Sequence, residues 1–171
     1  MIGTVALLVI TAFILWELRA QSPMLDVRLF ANARFSAASV NVTLVFFALF
    51  GFIFLATQYL QFVLGYSAFE AGLRTLPFAF ALMVMAPLSS KAVQWFGTKR
   101  VVVTGMLLFA SGLVVASTST VDTGYGRVMI AMVLMGAGMG LSVAPATESI
   151  MGALPLHQAG VGSAVNDTTR E

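Results

Sequence analysis

The sequence has no cysteine, which excludes disulfide cross-links and thiolate metal sites. It has one histidine, His157, and a lone imidazole does not make a metal site. Charge is scarce as well: Asp, Glu, Lys and Arg make up 9% of 171 residues, against roughly 25% in an average soluble domain. The net charge of +2 is small and dispersed, so nucleic acid is not an expected partner. HExxH, a phosphate loop, a nucleophile–base pair and paired carboxylates are all missing. The chain therefore reads as no enzyme, and neither a metal nor any other cofactor is expected.

What is present is apolar surface, with 59% of residues hydrophobic. Apolar runs last about 15 to 25 residues, whereas a membrane barrel strand needs only about 9 to 11 with strict alternation. The fold class expected is an all-α membrane protein whose first partner is the lipid bilayer. The run Ile2 to Trp16 lacks a preceding Lys or Arg and a following small-x-small site, which argues against a signal peptide.

Residues 1–18 read as a short, truncated transmembrane helix. Residues 19–39 form a loop, with Met24 to Phe35 as an amphipathic piece lying on the membrane surface and Ser22-Pro23 and Asn32 supplying turn and helix-start chemistry. Residues 40–171 carry helices at about 40–64, 73–93, 101–116 and 128–151 and a helix stub at 161–171. Arg19, Arg28, Arg34, Lys91, Lys99 and Arg100 fall on one side of these helices and Arg74 and Arg127 on the other. The excess marks the first side as cytoplasmic.

In the fifth run, Gly136, Gly140 and Ala144 are spaced by four and read as one smooth packing face that continues to Glu148. Glu148 is either a carboxylate that snorkels or caps at the interface, or a proton- or cation-binding group lining a cavity. Asp167 and Arg170, three apart, suit a pair on one helix surface. Pro77 and Pro87 are expected to kink the third run, as a gate would require or as static membrane helices also do. Gly51, Gly105 and Gly112 read as packing contacts. Gln58 and Gln61, beside Tyr59, either line a polar cavity or sit in the interfacial belt. Ten methionines are compatible with an adaptable binding surface.

The turn SKAVQWFGTKR, Ser90 to Arg100, resembles the basic loop motif of the major facilitator superfamily. Gly97, Lys99 and Arg100 match its second half, while Ser90, Gln94 and Trp95 replace its first glycine, acid and arginine. TQYLQFVLGYSAFEAGLRTLPFA, from Thr57, and APATESIMGALPLHQAGVGSAVNDTTRE, from Ala144, resemble the fourteen-helix drug:proton antiporters. The resemblance implies a fragment of the C-terminal half of a multidrug efflux transporter. It implies export of amphipathic small molecules against entering protons, by rocking against an N-terminal bundle that would be the partner of this piece. Proton coupling then makes Glu148 the first candidate and Asp167 the second, with Arg170 a pairing or gating residue. The alternative is a non-transporting gene remnant or a small helical membrane partner protein.

Overall fold

A computed structural model describes residues 4, 9, 11, 12, 16, 31–152 and 159–170. Most of the first apolar run, most of the loop with its amphipathic piece, and the turn around His157 lie outside the described residues. Thr4, Val9, Thr11, Ala12 and Trp16 are helical. The remaining order is α1 (Ala33–Gln58) continuing into a π-helical turn (Tyr59–Val63), α2 (Ala68–Leu73), α3 (Leu76–Phe96), α4 (Thr98–Ser117), α5 (Tyr125–Gly152) and α6 (Ala159–Thr168). Among the described residues four stretches are long and apolar enough to cross a membrane: Ala33–Val63, Ala68–Phe96, Thr98–Ser117 and Tyr125–Gly152. No strand occurs among the described residues.

Local chemistry sets the ends. Asn32 accepts hydrogen bonds from the amides of Arg34 (3.0 Å) and Phe35 (3.4 Å), so α1 begins at Ala33 rather than at the apolar run near Val40. Ser67 and Glu70 close a capping box that starts α2. Gly97 ends α3 at φ +80°, a conformation that side chains with a Cβ disfavour, and α4 follows at once. Short connections of this kind make neighbouring helices antiparallel. Thus Arg34, Lys91, Lys99 and Arg100 lie at one end of the bundle and Arg74 and Arg127 at the other.

The helix α5 is the hub. It packs against α4, α3 and α1 and carries more of the buried positions than any other helix among the described residues. Along α1 the core falls into three groups. Phe35, Ala38 and Val42 meet Ala146 and Ile150 of α5 and Val165 of α6. Val45 and Leu49 join Phe109, Met135 and Met139. Ala56 and Leu60 join Ala71, Val128 and Met132. Met132, Met135 and Met139 are thus core fillers rather than part of an open binding surface. The far ends of α1 and α4–α5 are tied together, because the Tyr59 hydroxyl donates to the carbonyls of Thr120 (2.8 Å) and Thr123.

Candidate functional site

Glycine lets backbones touch on two sides of α5. A Cβ on Gly136 would strike the Phe78 carbonyl of α3, and one on Gly140 would lie 3.0 Å from both the Ala86 amide nitrogen and Met85 Cβ. On the other side, a Cβ on Gly138 would strike the Phe109 amide and lie 2.6 Å from the Gly105 carbonyl oxygen. Gly112 of α4 likewise abuts Ala131 and Met135. Gly51 is different, with nothing within 4 Å of its place for a side chain, so it makes no close packing contact among the described residues.

Rows of four on an α-helix do not run straight. Each step of four residues advances about 40° around an axis of 3.6 residues per turn, so Glu148 is turned about 120° from Gly136. The structure shows the result: Gly136 and Gly140 are buried against α3, Ala144 is half-buried, and Glu148 is exposed. Its side of α5 also presents Ile130 and Val133 outward. Between these exposed apolar side chains and the three packed helices, the carboxylate meets no described partner.

At the same end, one hydroxyl of α5 takes two hydrogen-bond partners from α6 and the turn that follows it. Thr147 donates to Asn166 Oδ1 (3.3 Å) and accepts from Arg170 Nη2 (3.1 Å). The Arg170 guanidinium also lies 5.8 Å from the Phe46 ring centroid, which links α6 to α1. Asp167 is exposed, and it forms no ion pair with Arg170 among the described residues. The three-residue spacing offers the pair, but the Arg170 side chain is drawn inward by Thr147 and Phe46 instead. The Arg170 Nε, both amide atoms of Asn41, and the hydroxyls of Ser39 and Ser142 are buried without a hydrogen-bond partner.

Other sequence candidates fall in different places. Pro77 sits in the first turn of α3, where its missing N–H breaks no helical bond, so it is not a kink. Pro87 does lie inside α3 and Pro145 inside α5, and the latter had no place among the sequence candidates. Gln58 is exposed and Gln61 partly so. The groove between α1 and α4 is lined by Tyr59, with Gly51, Phe52 and Leu113, rather than by either glutamine. Lys99 and Arg100 are exposed on the first turn of α4 beside Gly97.

The sequence profile of the Major Facilitator Superfamily matches residues 1–171. The chain belongs to the major facilitator superfamily. As a member with several apolar helices it is a multi-pass protein of the cell membrane. It is 33% identical over 166 residues, 97% of the chain, to the tetracenomycin C resistance and export protein of Streptomyces glaucescens. It is 32% identical over 170 residues, 99% of the chain, to the uncharacterized MFS-type transporter YhcA of Bacillus subtilis. It is also 32% identical over 158 residues, 92% of the chain, to the multidrug resistance protein Stp of Mycobacterium tuberculosis. The chain spans about a third of the length of these relatives, with 31%, 31% and 29% of each covered.

Proposed function

We propose that this superfamily member forms part of the C-terminal bundle of a proton-coupled exporter of amphipathic compounds, working by alternating access against an N-terminal bundle. Glu148 carries the reading. An acidic residue on an apolar membrane helix must face protein or water, because lipid does not solvate its charge. Its side of α5 is left open by α1, α3 and α4, so it is available to a central cavity and to protons. The end that holds Arg34, Lys91, Lys99 and Arg100 is the cytoplasmic one under the positive-inside rule. The relatives named for export and multidrug resistance support amphipathic compounds as cargo.

The test uses everted membrane vesicles containing the complete transporter to which these residues belong, with a lipophilic fluorescent dye and an imposed proton gradient. Proton-driven dye uptake is expected for the wild type. In Glu148→Gln, uphill uptake is lost while dye exchange without a gradient persists, because a neutral amide keeps the shape and removes the titrating proton. Full proton coupling in the variant would remove Glu148 from the mechanism. No gradient-driven movement in the wild type would overturn the export reading.

A further inference from the structure

The opposite end of the bundle carries a second polar feature that the transport cycle does not absorb. Arg74 lies in the turn between α2 and α3, and its guanidinium carbon sits 3.8 Å from the Tyr66 ring centroid and 4.8 Å from that of Tyr125. The Tyr125 hydroxyl donates to the Arg74 carbonyl at 2.8 Å, so both the backbone and the side chain of Arg74 are held. Aromatic contacts engage the faces of a guanidinium and leave its N–H edges free to donate. No acceptor among the described residues takes those edges. One turn earlier, Glu70 Oε2 accepts from the Ser67 amide (2.9 Å) and hydroxyl (3.0 Å), while its other oxygen has no partner among the described residues.

These two charges rim an open groove of about 710 Å³ whose other walls include Leu73, Leu76, Pro77 and Phe80. The apolar lining does not stop at the groove. Leu76, Phe80, Met83 and Pro87 follow one another at helical spacing along α3, and all are exposed. From Leu76 to Pro87 the helix rises roughly 16 Å at about 1.5 Å per residue. That matches the depth of one leaflet, roughly half of a 30 Å hydrocarbon core. A planar cation and a carboxylate thus stand at the level of the aromatic belt, above a single apolar track as deep as a lipid tail.

We infer that this groove is a phospholipid site, with the phosphate on the Arg74 edge, an ammonium headgroup beside Glu70, and one acyl chain along Leu76, Phe80, Met83 and Pro87. A soluble anion would use the arginine and leave the track unexplained. A further protein helix would cover the track but would have to satisfy both rim charges with side chains of its own. A lipid with a primary ammonium and a phosphate meets all three features in one molecule. The inference rests on the helices crossing a bilayer and is independent of whether the protein exports anything.

The test is native mass spectrometry of the 171-residue chain released from nanodiscs containing phosphatidylethanolamine, phosphatidylglycerol and phosphatidylcholine. The wild type retains one phosphatidylethanolamine in preference to the others. Arg74→Gln lowers retention about tenfold, as expected for losing a charge-assisted hydrogen bond, and Arg74→Lys, which keeps the cation, gives an intermediate value with an unchanged melting temperature. Glu70→Gln removes the preference for the ammonium lipid over phosphatidylglycerol. A photoreactive benzophenone amino acid in place of Phe80 cross-links to lipid in native membranes containing the complete transporter. Equal retention by wild type and Arg74→Gln would overturn the site. So would displacement of the lipid by millimolar inorganic phosphate, which would mark an anion site alone, or a cross-link from position 80 into protein.

Discussion

Gly105 of α4 and Gly138 of α5 stand in reciprocal contact: a Cβ on Gly105 would lie 2.8 Å from the Gly138 carbonyl oxygen, and one on Gly138 would lie 2.6 Å from that of Gly105. Neither neighbour is a flexible side-chain end, so relief requires the helices to separate. Gly105→Val and Gly138→Val are each expected to destabilise the bundle by about 1–3 kcal/mol or more, the range of overpacked cores. Gly51→Ala, placed where nothing lies within 4 Å, is expected to be neutral or slightly stabilising, since it lowers backbone freedom inside a helix. Thermal unfolding in detergent, followed by fluorescence-detected size exclusion, checks the ranking.

Tyr59 reaches from the π-helical turn to the carbonyls of Thr120 and Thr123. Tyr59→Phe keeps the ring and removes the tether. A net loss of about 0.5–1.5 kcal/mol is expected, concentrated in the loop rather than spread through the bundle. Hydrogen exchange of residues 118–124 should quicken severalfold in the variant, while amides in the middle of α5 keep the wild-type rate.

The hydroxyl of Thr147 serves both Asn166 and Arg170. Thr147→Val preserves the shape and strands a guanidinium in partly buried surroundings, for an expected cost of about 1.5–3 kcal/mol. Thr147→Ser should restore most of it. Limited proteolysis at the α5–α6 connection reads the detachment of α6, with faster cleavage expected for Thr147→Val than for Thr147→Ser.

Gly97 holds φ +80° between α3 and α4, although a side chain there would have open space around it. The penalty for Gly97→Ala is therefore conformational, about 1–2 kcal/mol, and not steric crowding by neighbours. A drop in melting temperature in Gly97→Ala, compared with Gly124→Ala at an open position with no positive φ, measures it.

Much of this architecture is legible in the residues themselves. Long apolar runs specify the four crossing helices, whereas the start of α1 is expected near Val40 and lies at Ala33, because Asn32 caps a polar first turn that an apolar run does not mark. Gly105 and Gly112 point to close packing because a membrane helix gains little else from glycine. Three further features were not legible, each for a physical reason. The row Gly136, Gly140, Ala144, Glu148 looks straight in sequence but winds around the helix, so Glu148 ends on a different side from Gly136. Asp167 and Arg170 have pairing geometry, yet a long side chain chooses among all acceptors within reach, and Thr147 comes from another helix. Arg74 gains its two aromatic walls from Tyr66 and Tyr125, which are brought together only by the turn and by the return of α5. Pairwise spacing carries no information about such long-range company.

The α5 surface is finished differently on its three sides. Toward α3 and α4 it presents Gly136, Gly140 and Gly138, where backbone comes close to backbone, and Met135 adds a side chain against Gly112 of α4. Toward α1 it presents Met132, Met135 and Met139, unbranched thioethers with several torsions to spare. A larger residue at Gly136, Gly138 or Gly140 would therefore push backbones apart, whereas the contact with α1 runs in its middle through side chains that can change rotamer to absorb a change of volume.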